Sequence, residues 1–282
     1  LKKNNSIKNS QAYWESYSIQ VPDGYKDHWI DDDGKPISEE IYKEVSDFVI
    51  DKLGNDSDQK YILEVGCGTG KILSNIEKTY NSKNIFGIDF SLNQIKVAKK
   101  NCSRCMLFNN DLHSFKHENP EIYGKGFDLI FLHSVTQYFP SEQYFDDFLS
   151  LVFEALKVNG ILLIIDMPIV WYKEYMYGSS EKNTSSVLFK KFVKSILYKL
   201  KFKKYLDKFL KIKNRSSNLQ TEEIGNKKIT VPKFEGFWAD PLKIEKFAEN
   251  RFKKYELIYQ PFKNKTIKGK RFRPIAILSG KF

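Results

Sequence analysis

Cysteine is scarce in this chain: three in 282 residues, Cys67, Cys102 and Cys105. An odd, low count excludes a stapled disulfide scaffold and fits a reducing compartment. Long apolar runs are missing as well. No stretch approaches the roughly 20 residues needed to cross a bilayer, and the N-terminus has no apolar signal segment, so a cytoplasmic location is expected. Histidine is limited to four residues. Cys102-x-x-Cys105 followed by His113 and His117 offers zinc-ligand types, but the two pairs stand closer together than in a zinc finger and no second C-x-x-C exists. The expectation is buried cysteines, surface histidines and no metal.

Acidic residues are short too, in one place. Residues 187–215 hold eleven Lys/Arg and one acid, Asp207, in a chain whose net charge is +11, so the rest is close to neutral. Phe189, Phe192, Val193, Ile196, Leu197 and Leu200 fall on one helical stripe, and Phe202, Tyr205, Leu206, Phe209 and Leu210 on another face. This predicts two basic amphipathic helices with a break near Lys201. Four uses remain open. They are a solvated pair packed on the main domain, a lid drawing in an anionic acceptor, peripheral contact with an anionic membrane, and a nucleic-acid backbone clamp.

Glycine numbers only 15, yet three fall within five positions. In Tyr61–Gly70, YILEVGCGTG, a short apolar strand runs into Gly66, Gly68 and Gly70, and an amphipathic helix follows. A second strand, Ile85–Ile88, ends on Asp89. This is the layout of a nucleoside site at the mouth of a parallel α/β sheet. The glycines let backbone approach a ligand, and an acid at a strand tip can accept bonds from both ribose hydroxyls. A phosphate loop would need Lys-Ser/Thr after the last glycine; Lys71-Ile72 stands there. A dinucleotide loop, G-x-G-x-x-G, would need glycine at position 71.

The pattern that remains, E-x-G-x-G-x-G over Glu64–Gly70, resembles motif I of the class I S-adenosylmethionine-dependent methyltransferases. Asn84–Phe90 (NIFGIDF) resembles that family's second strand with its ribose acid. Leu107–Leu112 (LFNNDL) resembles the third strand, and Phe127–Phe139 (FDLIFLHSVTQYF) the fourth strand and the turn beneath the methionine end of the donor. Ser91-x-x-Gln94 reads as a capping box. Ser141 reads as the cap of a helix carrying Phe145, Phe148, Leu149, Val152, Phe153 and Leu156, ending at Gly160. Ile161–Ile165 reads as a buried fifth strand ending at Asp166, and Asp240-Pro241 as the start of a further helix. Tyr255–Gln260 and Pro274–Ser279 read as the sixth and seventh strands, joined by the basic loop Lys263–Arg273.

The resemblance implies an α/β, Rossmann-like sheet of seven strands, the last antiparallel between the fifth and sixth. Around it are expected an N-terminal helical cap over residues 1–57, a cofactor-binding core over 58–170, a basic helical insertion or lid over 171–237, and a closing segment over 238–282. It implies S-adenosylmethionine as cofactor, with S-adenosylhomocysteine as product. The residues implied to hold it are Tyr13, Glu64, Gly66, Cys67, Gly68, Gly70, Asp89, Phe90, Asn110, Asp111, Leu112 and His133. Asp111 would lie near the adenine amino group and Tyr13 over the methionine carboxylate, although Tyr13 and Trp14 equally suit a helix anchor.

Methyl transfer to oxygen calls for a base, and His133, Asp166, His28 and Tyr138 are the candidates. His133 equally suits a wall residue, and Asp166 a turn cap before Pro168. The turn after the fourth strand lacks the D/N-P-P-Y/F signature of enzymes acting on base amines, and no nucleophilic cysteine lies there. HSVTQYF resembles the small-molecule branch. The expected activity is O-methylation of a small polar or anionic molecule, such as a sugar or a nucleotide-linked or phosphorylated cell-surface carbohydrate precursor. The alternatives are an RNA methyltransferase using the basic insertion, and a cofactor-binding partner subunit without catalysis.

Overall fold

Short apolar strands alternate with amphipathic helices along the chain, and the fold stacks them in three layers. The computed structural model describes residues 2–21, 38–54, 59–80, 83–167, 219–224, 227–232, 239–258 and 275–282. In order, its elements are α1 (Lys2–Gln20), α2 (Glu39–Leu53), β1 (Ile62–Val65), α3 (Lys71–Thr79), β2 (Ile85–Ile88), α4 (Leu92–Asn101), β3 (Met106–Phe108), α5 (Leu112–Glu118), α6 (Pro120–Gly124) and β4 (Phe127–His133). There follow α7 (Glu142–Ala155), β5 (Leu156–Ile165), β6 (Leu219–Ile224), β7 (Lys227–Pro232), α8 (Pro241–Ala248), β8 (Phe252–Ile258) and β9 (Ile275–Lys281). His28, the basic segment 187–215 and the loop 263–273 lie outside the described residues. No helix among the described residues is long and apolar enough to cross a membrane.

The seven-stranded sheet runs β3-β2-β1-β4-β5-β9-β8. Strands β1 to β5 are parallel, and β9 is antiparallel to both β5 and β8, as the resemblance implies. Because side chains alternate along a strand, the strands feed two separate cores. Leu63, Val65, Ile130, Leu132, Leu162, Ile164, Ala276 and Leu278 face α5–α8. Ile62, Leu129, Phe131, Leu163, Ile165, Ile275 and Ile277 face α2–α4. Burial on both faces is why these strands read as near-continuous apolar runs.

Four local expectations are corrected. The segment Glu39–Leu53 is part of a core layer, not a cap: Tyr42, Val45, Val49 and Leu53 are buried against the sheet with α3. Strand β5 begins at Leu156, five residues early. It pairs Leu156 with Phe127, bulges, and resumes at Ile161 opposite Leu129. Gly160 sits inside it because a Cβ there would stand 2.9 Å from the Phe127 carbonyl oxygen. The insertion is not wholly helical, since β6 and β7 form an antiparallel hairpin in its second half. Finally, Ser91 Oγ accepts the Gln94 N–H at 3.3 Å as an N-cap should, but the Gln94 side chain does not reach back. It donates to Ser18 Oγ of α1 at 2.9 Å.

Candidate functional site

Strand order reverses between β1 and β4, and the crevice at their carboxyl ends is where α/β sheets of this kind bind ligands. The chain leaving β1 turns through Gly66, Gly68 and Gly70, at φ 72°, 52° and 75°. The turn is held by Gly66 and Cys67 N–H groups donating to the Ile88 carbonyl at 2.8 and 3.0 Å. Behind it, Asn101 Nδ2 donates to the Thr69 carbonyl at 2.9 Å and Cys102 Sγ to that of Gly70 at 3.0 Å. Lys71, which a phosphate loop would aim at its ligand, instead bonds Glu39 and lies 4.9 Å from the Tyr42 ring centre.

Asp89 ties the turn to the second strand. Its Oδ2 accepts the Gly68 N–H at 2.9 Å and its Oδ1 the Ser91 N–H at 2.8 Å. Burial pushes its carboxyl up to about 6; the two backbone bonds oppose that, and the nearby Glu15 charge adds to it. Glu64, 2% exposed, lies beneath the same turn, its Oε2 without a hydrogen-bond partner among the described residues. Burial raises its carboxyl well above the ordinary range, with Asp89 contributing. A cation bound nearby would oppose that shift and favour the ionised form.

A cleft open to solvent runs from Gly66 past Asp89 and Phe90 to Asn110, Asp111 and Leu112, and returns by Val135 and Tyr138. Asp111 is partly committed: its Oδ1 caps α5 by accepting the Ser114 N–H at 2.8 Å. Asn110 donates to Glu118 at 3.0 Å. Phe139, Tyr144 and Phe148 close the far wall.

Helix α1 lies across the cleft, and sequence reasoning missed how it is fastened. Ser10 Oγ donates to the Tyr138 carbonyl at 3.0 Å and Gln11 Nε2 to that of Phe90 at 3.1 Å. Glu15 accepts from the Leu92 N–H and from Asn93 Nδ2, both at 2.5 Å, at the start of α4. Tyr13, 1% exposed, stacks on Tyr17 and on Tyr138, with ring centres 5.8 and 6.5 Å apart; the Trp14 edge meets Tyr138 at 5.1 Å. At its other end, Gln20 makes two bonds to the Thr230 backbone of β7, at 2.8 and 3.1 Å. Since Glu15 holds two of these contacts, Glu15→Ala should quicken amide exchange across Ser10–Ser18 by about tenfold. Unchanged protection by exchange mass spectrometry would refute this.

At the ends of β4 and β5 two non-glycine residues adopt left-handed backbone, Ser134 at φ 55° and Asp166 at φ 58°. Each such residue costs about 1–2 kcal/mol. The ladder extends up to them through the Ser134 N–H on the Ile165 carbonyl at 3.0 Å, and Ser134 Oγ then donates to Asp166 Oδ2. Asp166 is 4% exposed.

The structure therefore groups Gly66, Asp89, Phe90, Asn110, Asp111, Leu112 and Tyr138 around one cleft, with Gly68 and Gly70 in the turn behind it and Glu64 in β1. His133, at the end of β4, and Asp166 stand beside the cleft, not in its wall. Cys67 reaches the turn only through its backbone, because its thiol is buried against Gly87. Among the described residues no three His, Cys, Asp or Glu converge as a metal site. Cys105 Sγ rests 3.4 Å from Glu77 Oε2.

A family model described as a methyltransferase domain matches residues 56–214, more than half of the chain. Among curated proteins, an uncharacterized protein of Rickettsia prowazekii (strain Madrid E) is 36% identical over 104 residues, 36% of this chain. The match spans 41% of that relative's own length. Magnesium protoporphyrin IX methyltransferase from Synechocystis PCC 6803, solved with bound SAH, superposes with a TM-score of 0.51 at 13% identity, over 98% of this chain and 99% of that one. The cyclopropane synthase MmaA2 of Mycobacterium tuberculosis aligns at a TM-score of 0.44 and 17% identity over 66% of each chain. The matched domain begins just before β1 and ends beyond β5, so it takes in the glycine turn and every strand-end acid of the cleft. The chain belongs to the class I S-adenosylmethionine-dependent methyltransferases.

Proposed function

We propose that the protein methylates a hydroxyl oxygen on a small polar or anionic molecule, such as a sugar or a nucleotide-linked or phosphorylated carbohydrate precursor. The observation that carries this reading is an acid, Asp166, directly after β5, on the same carboxyl edge of the sheet as the cleft. The roof formed by α1 supports a small acceptor, because Ser10, Tyr13 and Trp14 cover the crevice from above.

In this reading Asp89 holds the donor's ribose, Asn110, Asp111 and Leu112 bound its adenine, and the turn at Gly66–Gly70 passes under its methionine part. The unpartnered Glu64 oxygen and the glycine cradle fit a cationic nucleoside ligand. The bound donor supplies an activated methyl group for in-line displacement. Asp166 takes the hydroxyl proton as the oxygen–carbon bond forms, and the aromatic roof keeps water out. His133 closes β4 at the same edge of the sheet.

The experiment is a product screen with methyl-labelled S-adenosylmethionine against sugars, sugar nucleotides, phosphorylated metabolites and RNA. Label on a small-molecule oxygen, reduced about a hundredfold in Asp166→Asn with donor affinity kept, is the expected result. Label on RNA alone, with a steep salt dependence, would replace this reading with a nucleic-acid one.

A further inference from the structure

One hydroxyl in the wall of the cleft does nothing for the fold. Tyr144 is the third residue of α7, fixed there by its N–H donating to the Ser141 cap at 3.2 Å. Its ring meets Phe139, which also meets Phe148, with ring centres 5.0 Å apart in each pair. Phenylalanine would serve that packing equally well. The phenol stands close to Asp111: burial, and after it the Asp111 charge, push it well above the ordinary tyrosine range, so it remains a hydroxyl. Yet the two side chains do not bond each other. Among the described residues Tyr144 Oη takes part in no hydrogen bond, and Asp111, whose Oδ1 is taken by Ser114, leaves Oδ2 without one. A half-buried hydroxyl without a partner is costly in an apolar wall unless a ligand supplies that partner.

We propose that Tyr144 is a specificity-determining residue for the methyl donor, its hydroxyl donating to an adenine ring nitrogen beside the amino group that Asp111 Oδ2 receives. The cleft lining around the pair is apolar, through Leu112, Phe139, Pro140 and Phe148, and suits the faces of a flat ring. The two polar tips then read its edge. Tyr144 offers a donor and Asp111 an acceptor. Adenine presents the complement, because its 6-amino group donates while the ring nitrogen on either side, N1 or N7, accepts. A base lacking that nitrogen leaves the Tyr144 hydroxyl unmet, and sites of this kind discriminate through such unpaired groups. The inference rests on the proposed placement of adenine along Asn110, Asp111 and Leu112. It goes further in giving the base a second reader, from a helix on the far wall.

The test is calorimetry on the full chain with S-adenosylhomocysteine and its 1-deaza and 7-deaza forms, in each of which one ring nitrogen is replaced by C–H. Wild type should bind the form that lacks the nitrogen read by Tyr144 about tenfold more weakly than S-adenosylhomocysteine. Tyr144→Phe keeps the ring against Phe139 and removes only the hydroxyl. It should bind S-adenosylhomocysteine about tenfold more weakly and no longer distinguish that deaza form from it, while any penalty for the other form persists. This coupling between one protein group and one ligand atom is what a tyrosine that merely packs would not produce. Both deaza penalties unchanged in Tyr144→Phe overturn the inference. Asp111→Asn keeps an acceptor for the α5 cap and turns an NH₂ toward the amino group, and should weaken S-adenosylhomocysteine by about tenfold. If it binds as wild type does, the adenine lies elsewhere and the placement falls, taking the inference with it. Penalties that persist in Tyr144→Phe beside a weakened Asp111→Asn overturn the role of Tyr144 alone.

Discussion

Replacing Asp89 with asparagine lowers the affinity for S-adenosylhomocysteine by two to three orders of magnitude, roughly what losing two charge-assisted bonds to ribose hydroxyls costs. Both oxygens already accept backbone N–H groups, from Gly68 and Ser91. Asparagine keeps an acceptor for one of them and turns an NH₂ toward the other, so the glycine turn loses its tie as well. Calorimetry reads the loss directly, and a change of less than threefold would refute the role given to this acid.

The same carboxyl makes donor affinity depend on pH, with a sign that can be worked out. Its value in the free protein is raised to about 6, chiefly by burial. In the proposed role of Asp89, ribose hydroxyls bond its ionised form, so binding should pull the value down. Affinity should therefore be full above about pH 6 and fall by up to about tenfold per unit below it, the limit for one proton. Stability of the free protein moves the other way. A buried acid whose value is raised by folding penalises the fold fully above pH 6, and the penalty is relieved as pH drops toward 4. Wild type should thus lose affinity between pH 7 and 5 while Asp89→Asn shows a flat profile. Parallel slopes in the two proteins would point to another titrating group.

Gly66→Ala should be the most damaging small change in the chain. Its backbone is at φ 72°, and an added Cβ would stand 2.5 Å from Val135 Cγ2 and 3.0 Å from Cγ1. The left-handed term costs about 1–2 kcal/mol and forced repacking about 1–3 kcal/mol. Together they should lower the melting temperature by roughly 5–15 °C. The two terms separate in a double mutant: Val135→Ala removes the clashing methyls but not the backbone cost. The pair should be more stable than the sum of single effects by about 1–2 kcal/mol. Additive losses would show that Val135 is not what Gly66 makes room for.

The donor half of the molecule was legible because each signal there has one physical solution. An apolar strand buried on both faces, three glycines in five residues, and an acid following the next strand leave little choice of arrangement. The hairpin of β6 and β7 was missed for a different reason. The dipeptide Gly225-Asn226 between Gln220–Ile224 and Lys228–Val231 carries a turn signal, but the charge of the preceding segment drew the whole insertion into a helical reading. Nor was the α1 clamp legible. Ser10, Gln11, Glu15 and Ser18 are ordinary polar residues of a helix, and only tertiary placement decides that they meet Tyr138, Phe90, Leu92 and Gln94. Ser134 gave no warning at all, since serine carries no preference for positive φ that a sequence could advertise.

The position of β9 has a consequence for how the protein is made. It covers the outer edge of β5, yet its first residue, Ile275, is synthesised roughly a hundred residues after Ile165. At about 5–20 residues per second, a ribosome leaves that edge uncovered for roughly 5–20 seconds. Through that interval the nascent chain displays Ile161–Ile164, four apolar residues with free backbone groups along one side, the pattern that recruits other strands. Holding chaperones, slow codons or low expression temperature should therefore matter more for the yield of this protein than for its stability once β9 has closed the sheet.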